Sequence, residues 1–233
     1  MPDFVTRVRS ALAAAADQER AAAQQRYMKS AMPFHGVAMA RVRRIVQDLA
    51  AEYRIEAAGP WRAIVLLLWD GATHREERYA ATALARHRAY REFRTAEALP
   101  MLRHMIVTGA WWDHVDEIAS HLLGDVLQAD PEAVTPVLRQ WADDGDMWLR
   151  RSAILAQLRA KGSTDTELLA YCLRANLGGS RYGEQFFIRK AIGWALREYA
   201  KTDPGWVRTF LDQHRDRLSP LSVREASKHL SGT

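Results

Sequence analysis

The sequence is poor in the features that mark most enzyme classes. Its 233 residues hold one cysteine, Cys172, which excludes an internal disulfide and any metal site built from several thiolates. The longest apolar run is residues 63–69, far short of the roughly 20 residues that cross a bilayer. The opening MPDFVTRVRS carries an acid and no sustained apolar core, so no secretory signal is expected. A reducing cytoplasm is the expected setting. Alternating Val/Ile/Thr runs bounded by Asn-Gly or Asp-Gly turns are missing, which argues against strands. The eight histidines are scattered, with neither HExxH nor a paired spacing. Phosphate-binding GxxxxGK[ST] and GxGxxG loops and the GxSxG nucleophile elbow are also missing. Neither a metal nor a cofactor is therefore expected, and Cys172, in a Leu-Leu-Ala-Tyr-Cys-Leu run, reads as a small buried hydrophobe.

What the sequence does have is helix. Apolar residues recur at steps of three and four, as in Val42, Ile45, Val46, Leu49 and Tyr53. Pro60, Pro100, Pro131, Pro204 and Pro220 stand where first-turn prolines belong, and Asp130 and Ser219 precede two of them as N-caps. Four segments share a small-residue face: ERYAATALARH (77–87), WLRRSAILAQL (148–158), FIRKAIGWALREY (187–199) and VREASKHL (223–230). Their aligned alanines, Ala81, Ala153, Ala191 and Ala226, are separated by 72, 38 and 35 residues. A period near 36, with one unit missing near position 117, is the signature of stacked helix pairs. The expectation is an all-α, HEAT-like or armadillo-type solenoid of antiparallel helix pairs with a concave basic face, forming a single domain over residues 1–233. Two stretches break the regularity. Residues 20–29 read as a solvated helix ending near Met32-Pro33, and the glycine-rich 178–183 stretch reads as a flexible loop before a helix at 184–201.

The chain is basic, with a net charge of +5 and a pI near 9.5. That suits a polyanionic partner, although an Ala/Arg-rich text of this kind also arises from codon preference. More specific is the gap in the repeat, occupied by Ala-Trp-Trp-Asp-His-Val-Asp-Glu at 110–117. Trp112 and Asp116 are four apart and share a helix face, while Trp111, Val115 and Ile118 suit the packed side. Two readings stay open: a core tryptophan pair with a helix-start aspartate, or a site. Lys190, Trp194, Arg197 and Lys201 form a second stripe, either a phosphate-binding surface or a solvated basic face. Arg150 and Arg151 open the helix of the intervening repeat. Equivalent solenoid helices lie side by side, so Asp116, Arg151 and Trp194 are expected to converge.

Such a trio suits one reaction. A purine alkylated at N3 or N7 is cationic, and its departure leaves oxocarbenium character on the sugar, which a carboxylate stabilises. The carboxylate also orients water, indole faces attract the cation, and an arginine holds a flanking phosphate.

The segments RYMKSAMPFHGV (26–37), VTGAWWDHVDEIA (107–119), LGDVL (123–127), DMWLRRSAILAQL (146–158), FFIRKAIGWALREYAKTDP (186–204) and PLSVREASKHL (220–230) resemble the AlkD family of bacterial DNA glycosylases. The likeness runs over nearly the whole chain in the family's order. It implies a HEAT-like repeat protein that excises alkylated purines from double-stranded DNA without flipping the base; a bacterial, nucleoid-associated cytoplasmic setting is expected, and nothing in the sequence suggests more than a monomer. It also implies Asp116 as the catalytic aspartate, Trp112 and Trp194 against the sugar, Arg151 in the active site and Tyr27 near the DNA. Lys29, Arg150, Lys190, Arg197 and Lys201 are the accompanying candidates for DNA contact. The 178–183 loop is longer than the family pattern. Repair of general alkylation damage and self-resistance to a DNA-alkylating compound both fit, and a non-catalytic DNA-binding or protein-binding repeat protein is the competing reading.

Overall fold

The computed structural model describes residues 2–230, and no strand occurs among them. The helices fall into two compact units, Met1–Arg94 and Thr95–Thr233. The first contains α1 (Pro2–Ala14), α2 (Gln18–Met28), α3 (Met39–Glu52), α4 (Ala58–Asp70) and α5 (Arg75–Arg86). Here α5 packs on both α3 and α4, and α1 packs on α3. The α3 stripe expected from the sequence is its packed face, with Val42, Ile45, Val46 and Leu49 all buried. Helix α2 ends at Met28, four residues earlier than the Met32 expected. Lys29 closes it in the left-handed conformation at φ 50°, and its N–H reaches the Arg26 carbonyl.

The loop after α2 is pinned by the start of α5. The Glu76 carboxylate, fully buried, accepts the backbone N–H groups of His35, Gly36 and Val37 at 2.9, 2.8 and 3.0 Å. Three consecutive amides around one carboxylate satisfy a charge that burial would otherwise penalise heavily. Gly36 is required here: its φ is +83°, and a Cβ would lie 2.0 Å from the Asp17 carbonyl oxygen.

The second unit contains α6 (Leu99–Gly109), α7 (Trp112–Glu117), α8 (Gly124–Ala129), α9 (Pro131–Ala142), α10 (Met147–Leu155), α11 (Thr166–Arg174), α12 (Phe186–Tyr199), α13 (Pro204–Gln213) and α14 (Pro220–Ala226). Helix α10 lies at its centre, against α6, α7, α9, α11 and α12. It is correspondingly buried on every side from Trp148 to Leu155. Asp130 and Ser219 cap α9 and α14 as expected, and Asp203 caps α13. All four aligned alanines are buried. The gap in the repeat has a structural cause. Between α7 and α8 the helix continues as a π segment, Ile118–Leu123, whose wider turn shifts the register. The small residue survives there as the buried Ala119.

The 178–183 stretch, expected to be flexible, is a tied series of turns. Gly178 exchanges hydrogen bonds with Arg217, and the Tyr182 hydroxyl donates to the Gly145 carbonyl at 2.5 Å. Cys172 is buried among apolar neighbours, which pushes its thiol up to about 12. No helix is long and apolar enough to cross a membrane, among the described residues.

Candidate active site

Helix α7 begins with two tryptophans that part company. Trp111 precedes the helix in extended conformation and packs against Trp148 and Phe187, with ring centres 6.2 and 5.5 Å apart. That wedge fixes the start of α7. Trp112, the first helical residue, and Asp116, one turn on, line a cleft of about 470 Å³ with Trp194 of α12.

Asp116 meets its partner from α10. The Arg151 Nε donates to Asp116 Oδ1 at 2.7 Å and a terminal nitrogen to Oδ2 at 2.8 Å, a two-pronged pairing that fixes the plane of the carboxylate. A further Arg151 N–H donates to the Phe187 carbonyl. The arginine side chain is 3% exposed and the aspartate 15%. Burial pushes the Asp116 carboxyl above its ordinary range, the hydrogen bonds and charge of Arg151 pull it back, and the charge of Asp113 adds to the rise. The Asp116 backbone carbonyl accepts the Ser120 hydroxyl from the π segment at 2.6 Å.

Asp116, Trp112, Trp194 and Arg151 thus come together as the sequence leads one to expect, with one change of task. Arg151, expected at a flanking phosphate, is buried and its donors hold Asp116 and the Phe187 carbonyl. Arg150 is also buried. Its guanidinium bonds the Asp143, Asp144 and Ala175 carbonyls and the Asn176 side chain, an architectural role in place of the expected DNA contact. The basic stripe on α12 is largely compensated. Lys190 and Arg197 both reach the buried Glu225 of α14, at 3.0 and 2.7 Å, and Lys201 reaches Glu198 at 2.6 Å. Hydrogen bonds from Lys228 and Lys190 hold the Glu225 carboxyl down at about 2. Tyr27, 77% exposed, and the exposed Lys29 belong to the other unit.

Helix-face logic missed the remaining acids of the cleft, Asp113, Glu117 and Glu198. The signal for Glu198 was present, since it lies one turn beyond Trp194. A candidate cation site also escaped, because His35 is 39 residues from His74 in sequence. His35, His74 and Glu77 bring three ligand atoms within 4.8 Å of one another, among the described residues. The two imidazoles stack at 3.7 Å and 13°, so their in-plane lone pairs run side by side and do not converge. Glu77 already accepts from Arg9 at 2.7 Å and from Thr73 at 2.8 Å.

A repeat protein, helical throughout its described residues, with a cleft lined by a carboxylate and two indoles is the class that fold and cleft define. Residues 8–230 match the family described as DNA alkylation repair enzyme, and the chain belongs to that family. A solved structure, a predicted DNA alkylation repair enzyme from Enterococcus faecalis, is 28% identical, with a TM-score of 0.82 over 94% of this chain and 98% of that one. No curated protein matches the chain.

Proposed function

We propose that the protein is a monomeric DNA glycosylase that hydrolyses the N-glycosidic bond of cationic N3- or N7-alkylated purines in duplex DNA, acting in the bacterial cytoplasm. The observation that carries this reading is the Arg151-held carboxylate of Asp116 opening on a cleft that Trp112 and Trp194 also line. Bond breaking sends the electron pair of the glycosidic bond to the base, which leaves neutral because it began as a cation, so no strong external acid is required. Positive charge passes to the deoxyribose. Asp116 stabilises it through space, at low dielectric, where a fixed charge acts strongly. Its oxygens each carry one arginine N–H and keep a second lone pair to orient the water that completes hydrolysis and to take the proton that water gives up. The indole faces favour the same cation. Holding the sugar, and leaving the base in the duplex, makes base flipping unnecessary and leaves room for bulky adducts. Both general repair and self-resistance to an alkylating compound are consistent with this chemistry.

The experiment compares release of free base from two duplexes, one carrying N7-methylguanine and one carrying uracil. The expected result is release of the cationic base alone. Release of uracil at a similar rate would contradict a mechanism that depends on a precharged leaving group, and release of neither would leave a DNA-binding protein.

A further inference from the structure

A second and larger cavity, of about 770 Å³, adjoins the cleft and shares Leu158, Arg159 and Glu198 with it. We infer that this cavity is a phosphodiester-binding site for the lesion-bearing strand, an inference that rests on the glycosylase reading of the cleft. Its floor is apolar, with Ile154, Leu169 and Ala195, while Arg159, Lys161 and Lys201 stand around it against one carboxylate, Glu198. Nothing in the cleft chemistry requires those three cations.

Two of them are held in place. An arginine N–H can only donate, so its contact with His121 Nδ1 makes that nitrogen the acceptor. The Nε2 side of the ring faces Glu117 at 3.7 Å. Arg159 is thereby oriented through the His121 imidazole. Lys161 is exposed and has a φ of +52°, a left-handed backbone that residues other than glycine seldom adopt. Its loop is closed by bonds from the Thr164 amide and hydroxyl to the Lys161 carbonyl, at 3.2 and 2.8 Å. Gln157 clasps the backbone of Asp165 from both sides, at 2.9 and 2.7 Å. A strained residue kept by so many bonds is a common mark of a functional loop.

The contrast with α12 decides where the anion goes. Lys190 and Arg197 converge on a buried carboxylate, so their charge is already met. On the cavity wall Lys201 is paired with Glu198 at 2.6 Å, so the charge left for an anion there is that of Arg159 and Lys161. A strand whose deoxyribose lies between Trp112 and Trp194 runs its flanking phosphate along the shared wall, past Arg159, into this cavity. Its apolar floor suits the neighbouring sugar carbons.

The test is duplex-DNA affinity measured across a series of salt concentrations for the wild type, Lys161→Ala and the double variant Lys161→Ala/Lys201→Ala. Each phosphate that a variant no longer neutralises makes the slope of log K against log salt shallower by about 0.9. The expected result is one such step for the single variant and a further, smaller one for the double, because Lys201 also serves Glu198. Slopes equal to wild type in both variants would overturn the inference. Both lysines are exposed, so folding is not at stake. Release of N7-methylguanine by the wild type, assayed alongside, separates the two readings. Base release with unchanged slopes sinks the phosphate site alone, whereas reduced slopes without release sink the glycosylase and keep the site.

Discussion

At the scale of single residues, the proposed chemistry rests on the pair Asp116–Arg151. Arg151→Ala leaves a buried carboxylate without its partner, which costs about 3–5 kcal/mol of stability, readable by denaturant unfolding. It also has a pH signature. The Arg151 hydrogen bonds and charge lower the Asp116 pKa against the effect of burial. Under the proposed mechanism, excision by the ionised carboxylate is expected to fail as pH falls through the raised pKa of Asp116, and removing Arg151 is expected to move that acid limb to higher pH. A single-turnover pH profile of the two proteins checks this, and an unmoved limb would detach Arg151 from Asp116. The residues of this pair were legible in the sequence because each sits at a regular place on a helix. The direction of the Arg151 side chain was not, since it depends on α10 being enclosed by five other helices.

At the scale of elements, one close approach makes the opposite demand from intrinsic propensity. Gly193 lies inside α12, where alanine is ordinarily favoured by about 0.8–1 kcal/mol. A Cβ there would sit 2.7 Å from the Glu225 Cβ and 3.0 Å from the Ser222 carbonyl oxygen, and overpacking of that kind costs about 1–3 kcal/mol. Packing wins, so Gly193→Ala is expected to lower the midpoint of thermal unfolding, and a raised midpoint would contradict the α12–α14 contact. Glu76→Ala orphans three amides of the loop after α2, and even one buried amide left unpaired costs about 1–3 kcal/mol. Faster hydrogen exchange at residues 35–37 is the specific sign. Helix periodicity, prolines and caps made the elements readable. The π segment and the Glu76 clasp were not, because both depend on partners remote in sequence.

At the scale of the whole molecule, charge is arranged differently from its distribution along the chain. The α12 stripe looks like a phosphate surface only while Glu225, on another helix, is out of view. With its carboxyl held at about 2, Glu225 contributes stability that is complete above its ordinary 4.5 and lost as pH falls toward 2. Acid unfolding of Glu225→Gln should lack that part of the transition. The proposal that residues 1–233 act as one domain predicts a single unfolding transition shared by probes in both compact units, and two separated transitions would contradict it.

The most direct test of the account is base release from N7-methylguanine duplex by the wild type and by Asp116→Asn, with DNA affinity measured for both. The account predicts that the variant binds as well as the wild type and loses most of its excision. Equal excision by the variant would remove Asp116 from the mechanism, and with it the reason for reading this cleft as an active site.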